Sequence, residues 1–426
     1  MTNEPNLRAM QKRVRRGFSC MYGFHFTGMS AGAFNVLLLN SYGFSSAQVG
    51  LIIAAYSAVG ILAPPIWGYV ADRMGSMEKT YRLVFILQGI LLFSLPFFGA
   101  MHWGGVCALA FMLPVSNFVR TCSTNLLDAW VVKSINQVGH VAFGVVRSWG
   151  SLTWTITCLI LSAVSGVLGL SAVFYICGIL CLLTALFAGR LRKSLPLDDA
   201  LKDGSQPVKA EDRRKINPFR LLGNYYFVLF LLMIFATQMT MNCTSSFSPY
   251  IYQALGADPS ISASSSGIKA LMEIPFLLLG ARLLRRYSLP ALIVCTGCCL
   301  GLEQFLYTQV GSPVLVMLVT LCFNGMGAGL FFTTSIEYAH RLSPPELKAS
   351  AQTFVGMAGA LGHICSSLLG GQLIDSFGVF TLYRTTALLA FAISLLFALS
   401  FPFAKRVLHL HRPDNTQPPR KSIPNA

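Results

Sequence analysis

The chain is poor in charge. Asp, Glu, Lys and Arg make up 11% of its 426 residues, against about 25% in a soluble domain. Acidic residues are scarcest, 16 against 32 Lys and Arg. A globular protein of this size would have to expose polar surface that the composition does not supply, so lipid is the expected solvent for most of the chain. The residue sets of common enzymes are missing too. No Ser/His/Asp set, metal-ligand cluster or glycine-rich phosphate loop can be read, so no enzyme activity, metal or cofactor is expected. The 12 cysteines fall mostly within apolar stretches, where they pack as small hydrophobes and do not suggest a disulfide framework. Cys295-x-x-Cys298-Cys299 has the spacing of a metal knuckle but lacks a His or a second pair to complete it.

What is abundant is hydrophobicity. Hydrophobic residues are 54% of the chain, and mean hydropathy is +0.61. Twelve apolar stretches of about 20 residues can be read, each long enough to cross about 30 Å of hydrocarbon as a helix. They lie at 18–39, 48–71, 81–100, 105–131, 143–166, 170–189, 222–247, 263–281, 289–309, 313–336, 350–373 and 381–404. The first is too long for a cleaved signal peptide and reads as a retained helix. The fold class predicted is an all-α membrane protein with twelve transmembrane helices.

Basic residues orient it. With the N-terminus in the cytoplasm, 28 of the 32 Lys and Arg fall on the cytoplasmic side, and the loops at 40–47, 101–104 and 309–312 hold none. That is the positive-inside pattern, and it places both termini in the cytoplasm of a multi-pass protein of the cell (plasma or inner) membrane. The net charge of +16 then reports topology and attraction to anionic lipid. The basic runs are short and juxtamembrane, so nucleic acid is not an expected partner.

The middle of the chain is different. Between Arg190 and Arg220 lie nine basic and five acidic residues, the signature of a solvated linker. Six spans precede it and six follow. The chain is therefore read as a cytoplasmic segment (1–17), an N-terminal six-helix bundle (18–189), a linker (190–221), a C-terminal six-helix bundle (222–404) and a cytoplasmic tail (405–426), working as a monomer. Gly68-Tyr-Val-Ala-Asp-Arg-Met-Gly75 closes the second span, and Gly280-Ala-Arg-Leu-Leu-Arg-Arg-Tyr287 closes the eighth. The two hold the same place in each half, as duplication of a six-helix unit would leave them. Two pseudo-symmetric bundles suit a transporter that rocks around a midplane site.

The 68–75 segment resembles the loop signature of the major facilitator superfamily, and the resemblance extends over nearly the whole chain. It implies gating roles for Gly68, Asp72, Arg73 and Gly75. Gly68 is expected to permit close helix approach, and Asp72 to latch onto an opposing helix N-terminus or arginine. The family places more basic residues after the second glycine, whereas here Ser76 and Met77 precede Lys79.

Within the superfamily the chain resembles the group of lactose permease, nucleoside symporters and phenylpropionate permease. The carriers are the Asp128 region, Phe143-Gly-Val-Val-Arg-Ser-Trp-Gly-Ser-Leu-Thr-Trp154, Glu273 in the 267–275 stretch, and Pro344-Pro-Glu-Leu-Lys-Ala-Ser-Ala-Gln352. The resemblance implies that Asp128 and Arg147 form a solute-binding pair, with Trp154 as the ring on which a sugar stacks. It also implies a coupling role for Glu273. Two departures stand out. Glu303 occupies the ninth span where the family tends to have an arginine, and Asn324 stands roughly where the sugar symporter has a histidine.

The residues themselves support internal polarity. On an unbroken helix Asn117, Arg120, Thr121, Thr124 and Asp128 fall within about 100° of arc, a polar stripe expected to face a water-filled cavity. An arginine at the bilayer centre costs about 2.5–3.5 kcal/mol on insertion scales, so Arg120 needs a partner: either a solute, or Glu273 or Glu303 in a structural ion pair. Gln238 and Asn242 share a face of the seventh span and are read as lining the C-terminal half of the cavity. Gly28-x-x-x-Gly32 and the series Gly356, Gly359, Gly362 read as helix-packing surfaces. His25 is a lone histidine, read as a satisfied structural group or a cavity-lining one.

The expected function is secondary active transport by alternating access, as proton-coupled symport of a small polar solute such as a sugar, nucleoside or aromatic carboxylate. Asp128, Arg147, Trp154, Arg120, Asn117, Thr124, Gln238, Asn242 and Asn324 are the candidate solute ligands. Glu273 and Glu303 are the candidate proton carriers, since a carboxyl in a medium of low dielectric can bind and release a proton near neutrality. The alternatives are a proton-driven efflux antiporter of amphipathic compounds and a membrane sensor reusing the fold.

Overall fold

The computed structural model describes residues 4–138, 141, 143–195, 218–258, 260–344 and 347–406. Most of the expected linker at 190–221 and tail at 405–426 lies outside these residues. The chain divides into two compact units, residues 1–209 with 258–270, and residues 210–257 with 271–426.

The first unit holds α1 (Glu4–Met29), α2 (Asn35–Ser41), α3 (Ser46–Met74), α4 (Met77–Gly99), α5 (Leu109–Arg120), α6 (Ser123–Val138), α7 (Phe143–Leu168) and α8 (Leu170–Ser194). The second holds α9 (Tyr225–Ser246), α10 (Ser248–Ala254), α12 (Leu289–Tyr307), α13 (Pro313–Asn324), α14 (Leu330–Leu342), α15 (Lys348–Phe377) and α16 (Val379–Arg406). α11 (Ile261–Arg286) begins in the first unit and ends in the second. Its opening is tied to α7, where Ser162 donates to the Ser260 carbonyl at 2.9 Å and Thr155 to that of Gly267 at 3.0 Å.

Among the described residues nine helices are long and apolar enough to cross a membrane, counting 313–342 as one. Three expected spans differ, for visible reasons. The first is interrupted after a strongly basic start, and the fourth is split into α5 and α6. The eighth, α11, carries Lys269, Glu273 and a cluster of serines. The fourth also begins later than expected. A two-stranded hairpin, His102–Trp103 (β1) with Val106–Cys107 (β2), occupies the turn before it. Gly104 and Gly105 form its loop with φ of +59° and +84°, the two left-handed residues a tight hairpin requires.

Each set of three spans opens with an interrupted one: α1 to α2, α5 to α6, α9 to α10, α13 to α14. At three of these breaks hydroxyl side chains donate to backbone carbonyls, a competition that can bend helices. Ser30 donates to the Thr27 carbonyl at 2.6 Å ahead of the 3-10 turn at Ser30–Phe34. Thr121 donates to the Asn117 carbonyl at 2.8 Å and Ser123 to that of Arg120 at 2.7 Å around the α5–α6 break. Thr244 and Ser245 donate to the carbonyls of Thr240 and Met241 where α9 ends, both at 3.1 Å. The fourth break is the π-helical turn Gly325–Gly329, where Gly325 and Gly329 lie against α11 and Gly327 against α12.

The signature at 68–75 is the end of one helix and the start of another. Gly75 closes α3 in the left-handed conformation at φ +62°, the usual geometry of a glycine cap. Ser76 then caps α4 by accepting from the Lys79 N–H at 3.3 Å. At its other end α3 opens on a capping box between Ser45 and Gln48.

Both units are built for lipid. In α16 Leu382, Ala387 and Phe397 are buried, while Leu388, Leu395, Leu396, Leu399 and Phe403 are exposed. A helix apolar all round cannot present that second face to water. Within the first unit α4 and α8 approach until a Cβ on Gly89 would stand 2.9 Å from the Gly178 carbonyl, and reciprocally, the small-residue contact expected of membrane helices. In the second unit Phe230, Tyr338 and Phe397 pack edge to face at the centre of the core.

Candidate functional site

In the first unit Arg147 of α7 reaches across to α6 and holds both carboxylate oxygens of Asp128, at 2.9 and 3.2 Å. Tyr22 of α1 donates to the same carboxylate at 2.5 Å. The pair is not sealed. The Arg147 side chain is 42% exposed and that of Asp128 30%, so both retain room for a further partner. Trp154, half-buried two turns along α7, meets Phe26 edge to face at 6.3 Å, and Phe26 stacks on Tyr22 at 6.4 Å. Gly150 gives the Phe26 ring its place on α7, since a Cβ there would run into it. Carboxylate, guanidinium, phenol and indole thus form one connected group on α1, α6 and α7.

The polar stripe of the fourth span exists but changes direction at the break. Above it, Asn117 donates to the Tyr56 carbonyl of α3 at 2.7 Å, and Arg120 donates to the Tyr56 hydroxyl. Gly32 opens the space for that guanidinium, because a Cβ would come within 2.9 Å of its Nη1. Below the break, Thr124 bonds His25 at 3.1 Å and Asp128 turns toward α1. The expectation of one stripe facing a cavity is corrected here. Asn117 is buried and its amide is committed to α3. Arg120 meets a hydroxyl of α3.

His25 is fully buried between α4 and α6, with Tyr81 at 3.0 Å on Nδ1 and Thr124 at 3.1 Å on Nε2. Both ring nitrogens are occupied, so of its two readings the structural one holds.

In the second unit Glu303 is fully buried on α12. It accepts from Tyr307 at 2.7 Å and, weakly, from the Asn324 amide at 3.4 and 3.5 Å. Tyr307 continues the chain to Thr320 at 2.6 Å, while the Asn324 side-chain oxygen is buried with no hydrogen bond among the described residues. Glu303 and Asn324, 21 residues apart on consecutive spans, are therefore neighbours. Glu273 is half-buried on α11, beside the backbone of Gly329 in the π-helical turn.

Asn242 is placed differently from the expectation. It is buried, with both amide hydrogens donated across to α15, to the His363 carbonyl at 3.1 Å and the Ser367 hydroxyl at 3.0 Å. Its oxygen accepts from Ser246 at 3.0 Å. It clamps two helices together. Gln238 is half-buried where Gly359 and Gly362 bring α15 onto α9.

Gln304, beside Glu303, joins three helices. Its amide donates to the Thr240 carbonyl and the Thr244 hydroxyl of α9, each at 2.6 Å, and its oxygen accepts from Thr386 of α16. A glutamine in an apolar run was the available signal.

At the 68–75 signature, Asp72 and Arg73 are exposed. Gly68 departs from its expected role: among the described residues a Cβ there would meet nothing within 4 Å. Gly356 is equally open, whereas Gly28 is pressed against Cys181 and Gly362 against the carbonyl of Phe235. No group of three or more metal-ligating side chains occurs among the described residues.

The helical units resemble known proteins in sequence and fold. The maltose permease of Geobacillus stearothermophilus is 25% identical over 343 residues, covering 80% of this chain and 82% of that protein. The xanthosine permease of Escherichia coli strain K12 is 22% identical over 360 residues, covering 80% and 83%. The crystal structure of nucleoside transporter NupG matches with a TM-score of 0.77 at 17% identity, covering 91% of this chain and 99% of that one, a likeness of fold. These are transporters, not enzymes. With the MFS_1 like family model matching residues 17–385, the chain belongs to that family and is a multi-pass membrane transporter of the major facilitator type.

Proposed function

We propose that this transporter takes up a small hydroxyl-rich solute, a sugar or a nucleoside, in symport with protons by alternating access. The observation that carries the reading is the Asp128–Arg147 pair, in which Arg147 Nη1 reaches both carboxylate oxygens while the side chains stay 30% and 42% exposed within a membrane unit. A carboxylate and a guanidinium side by side can grip vicinal hydroxyls through charge-assisted bonds. Trp154, linked through Phe26 and Tyr22, offers an aromatic face to the apolar side of a ring. The relatives named above are permeases of a sugar and of a nucleoside, which share polyhydroxylated rings. Arg120, held by Tyr56, and Thr124, held by His25, are further candidate ligands of that unit, while Asn117 and Asn242 are assigned to helix packing.

Glu303 is the preferred proton carrier. It is a fully buried carboxyl with a chain of hydroxyl and amide groups leading from it. Glu273, half-buried on α11, is the second candidate, with Gln238 and Asn324 as further polar groups of that unit. Asp72, Arg73 and Gly75 serve as the gate at the end of α3. The cytoplasmic placement of both termini, which rests on the distribution of basic residues, and the monomeric state belong to the same proposal.

Counterflow in proteoliposomes loaded with maltose, xanthosine or uridine tests it. Exchange of at least one labelled solute, lost in Asp128→Asn and Arg147→Gln, is the expected result. Exchange undiminished in both variants would remove the pair from the binding site.

A further inference from the structure

A groove of about 800 Å³ runs along the first unit between α1, α7 and α8, apart from the Asp128–Arg147 group. Gly23 and Thr27 of α1 form its floor, Val145, Trp149 and Thr153 one wall, and Leu180 of α8 part of the other. The three α7 residues are spaced by four, so they make a single stripe down that helix. Val145 and Trp149 are 54% and 49% exposed, as are their apolar neighbours Leu152, Ile156 and Ile160 further along. This side of α7 therefore faces the bilayer, whereas Arg147 turns to Asp128.

One end of the groove is different in kind. Arg15 and Arg16 line it, both exposed and both without an ion pair among the described residues. Lys12 and Arg13 stand exposed one turn earlier. Among the described residues no acidic side chain lines the groove. From Arg15 to Thr27 the helix rises about 18 Å, close to half of a hydrocarbon core of about 30 Å. An apolar channel one leaflet deep, with two uncompensated guanidinium groups at headgroup level, fits an amphiphile with one acyl chain inward and an anion outward. Guanidinium groups are suited to phosphate oxygens.

We infer that this groove is a site for an anionic phospholipid, with an acyl chain between α1 and α7 and the headgroup phosphate held by Arg15 and Arg16. The site is independent of which solute is carried. It lies on the helix that also supplies Tyr22 to Asp128, so occupancy would brace α1 against α7.

The test uses Trp149 as a reporter that lines the groove. The full-length protein is placed in bilayers of phosphatidylcholine with a fixed fraction of phosphatidylglycerol, one of the two brominated on its acyl chains. The Trp149 signal is the difference between the protein and its Trp149→Phe variant. Bromine on phosphatidylglycerol is expected to quench Trp149 more than the same mole fraction on phosphatidylcholine, equivalent to a relative affinity of roughly five- to twentyfold. Arg15→Gln with Arg16→Gln should bring that ratio to about one, and lysines at both positions should retain most of it. Thr153→Phe, which fills the groove and keeps both arginines, should also abolish the preference, and it stands in if the glutamine variant does not fold. Equal quenching by the two lipids in the unaltered protein overturns the site, as does a preference that survives either change.

Discussion

Tyr22 donates to Asp128 Oδ1 at 2.5 Å, the oxygen that Arg147 also holds at 2.9 Å. A phenol on α1 thus aims a carboxylate on α6 that a guanidinium on α7 would otherwise hold alone. Tyr22→Phe keeps the ring packing and removes only the donor. A hydrogen bond to a charged group contributes about 1.5–3 kcal/mol, so KM for the counterflow solute should rise roughly 10- to 100-fold with little change in folding. An unaltered KM would mean that Arg147 alone positions the carboxylate.

Glu303→Gln mimics the protonated carboxyl and keeps the hydrogen-bond chain to Tyr307 and Asn324. Solute exchange at equal concentrations should persist, while uphill accumulation driven by an inward proton gradient should be lost. The sign follows from the group: a residue fixed in the neutral form cannot release its proton on the far side. Accumulation equal to that of the unaltered protein would exclude Glu303 and direct attention to Glu273.

Asn242→Ala removes a buried amide that satisfies both the Ser367 hydroxyl and the His363 carbonyl. The expected cost is about 1–3 kcal/mol, seen as a lower Tm in detergent, with KM unchanged. The opposite pattern, a raised KM at constant Tm, would restore Asn242 to the solute site.

Two glycines make a matched pair. Gly362→Ala drives a Cβ onto the backbone carbonyl of Phe235, whereas Gly68→Ala meets nothing within 4 Å among the described residues. The first should lower stability by roughly 1–3 kcal/mol; the second should leave it unchanged or raise it by up to about 1 kcal/mol through helix propensity. A destabilised Gly68→Ala would show that α3 is approached closely there after all.

How much was legible follows from which interactions are local. The apolar stretches stood out because crossing hydrocarbon requires about 20 such residues in a row, and the glycine and serine of the 68–76 turn mark their own ends. Asp128 and Arg147 stood out because charge is rare here, and resemblance to a family suggested the pairing the structure makes. Tyr22 and Tyr56 gave no such sign. A tyrosine in an apolar helix reads as packing until its hydroxyl finds a partner, and those partners lie 106 and 64 residues away. Gln304 was hidden by Glu303 beside it. Asn117 and Asn242 were read as lining because a polar face on a helix looks the same whether it meets water or another helix.

The sequence by itself determined that the chain lives in a membrane, that it is helical there, and which charges are internal. Those follow from composition and from the cost of leaving backbone groups unbonded in oil. Only the tertiary structure decided where the helices break, which carboxylate each cation meets and which amides are locked between helices. Each of those depends on the distance between residues far apart in the chain, and side-chain partnership at 3 Å is a property of packing that no local pattern encodes.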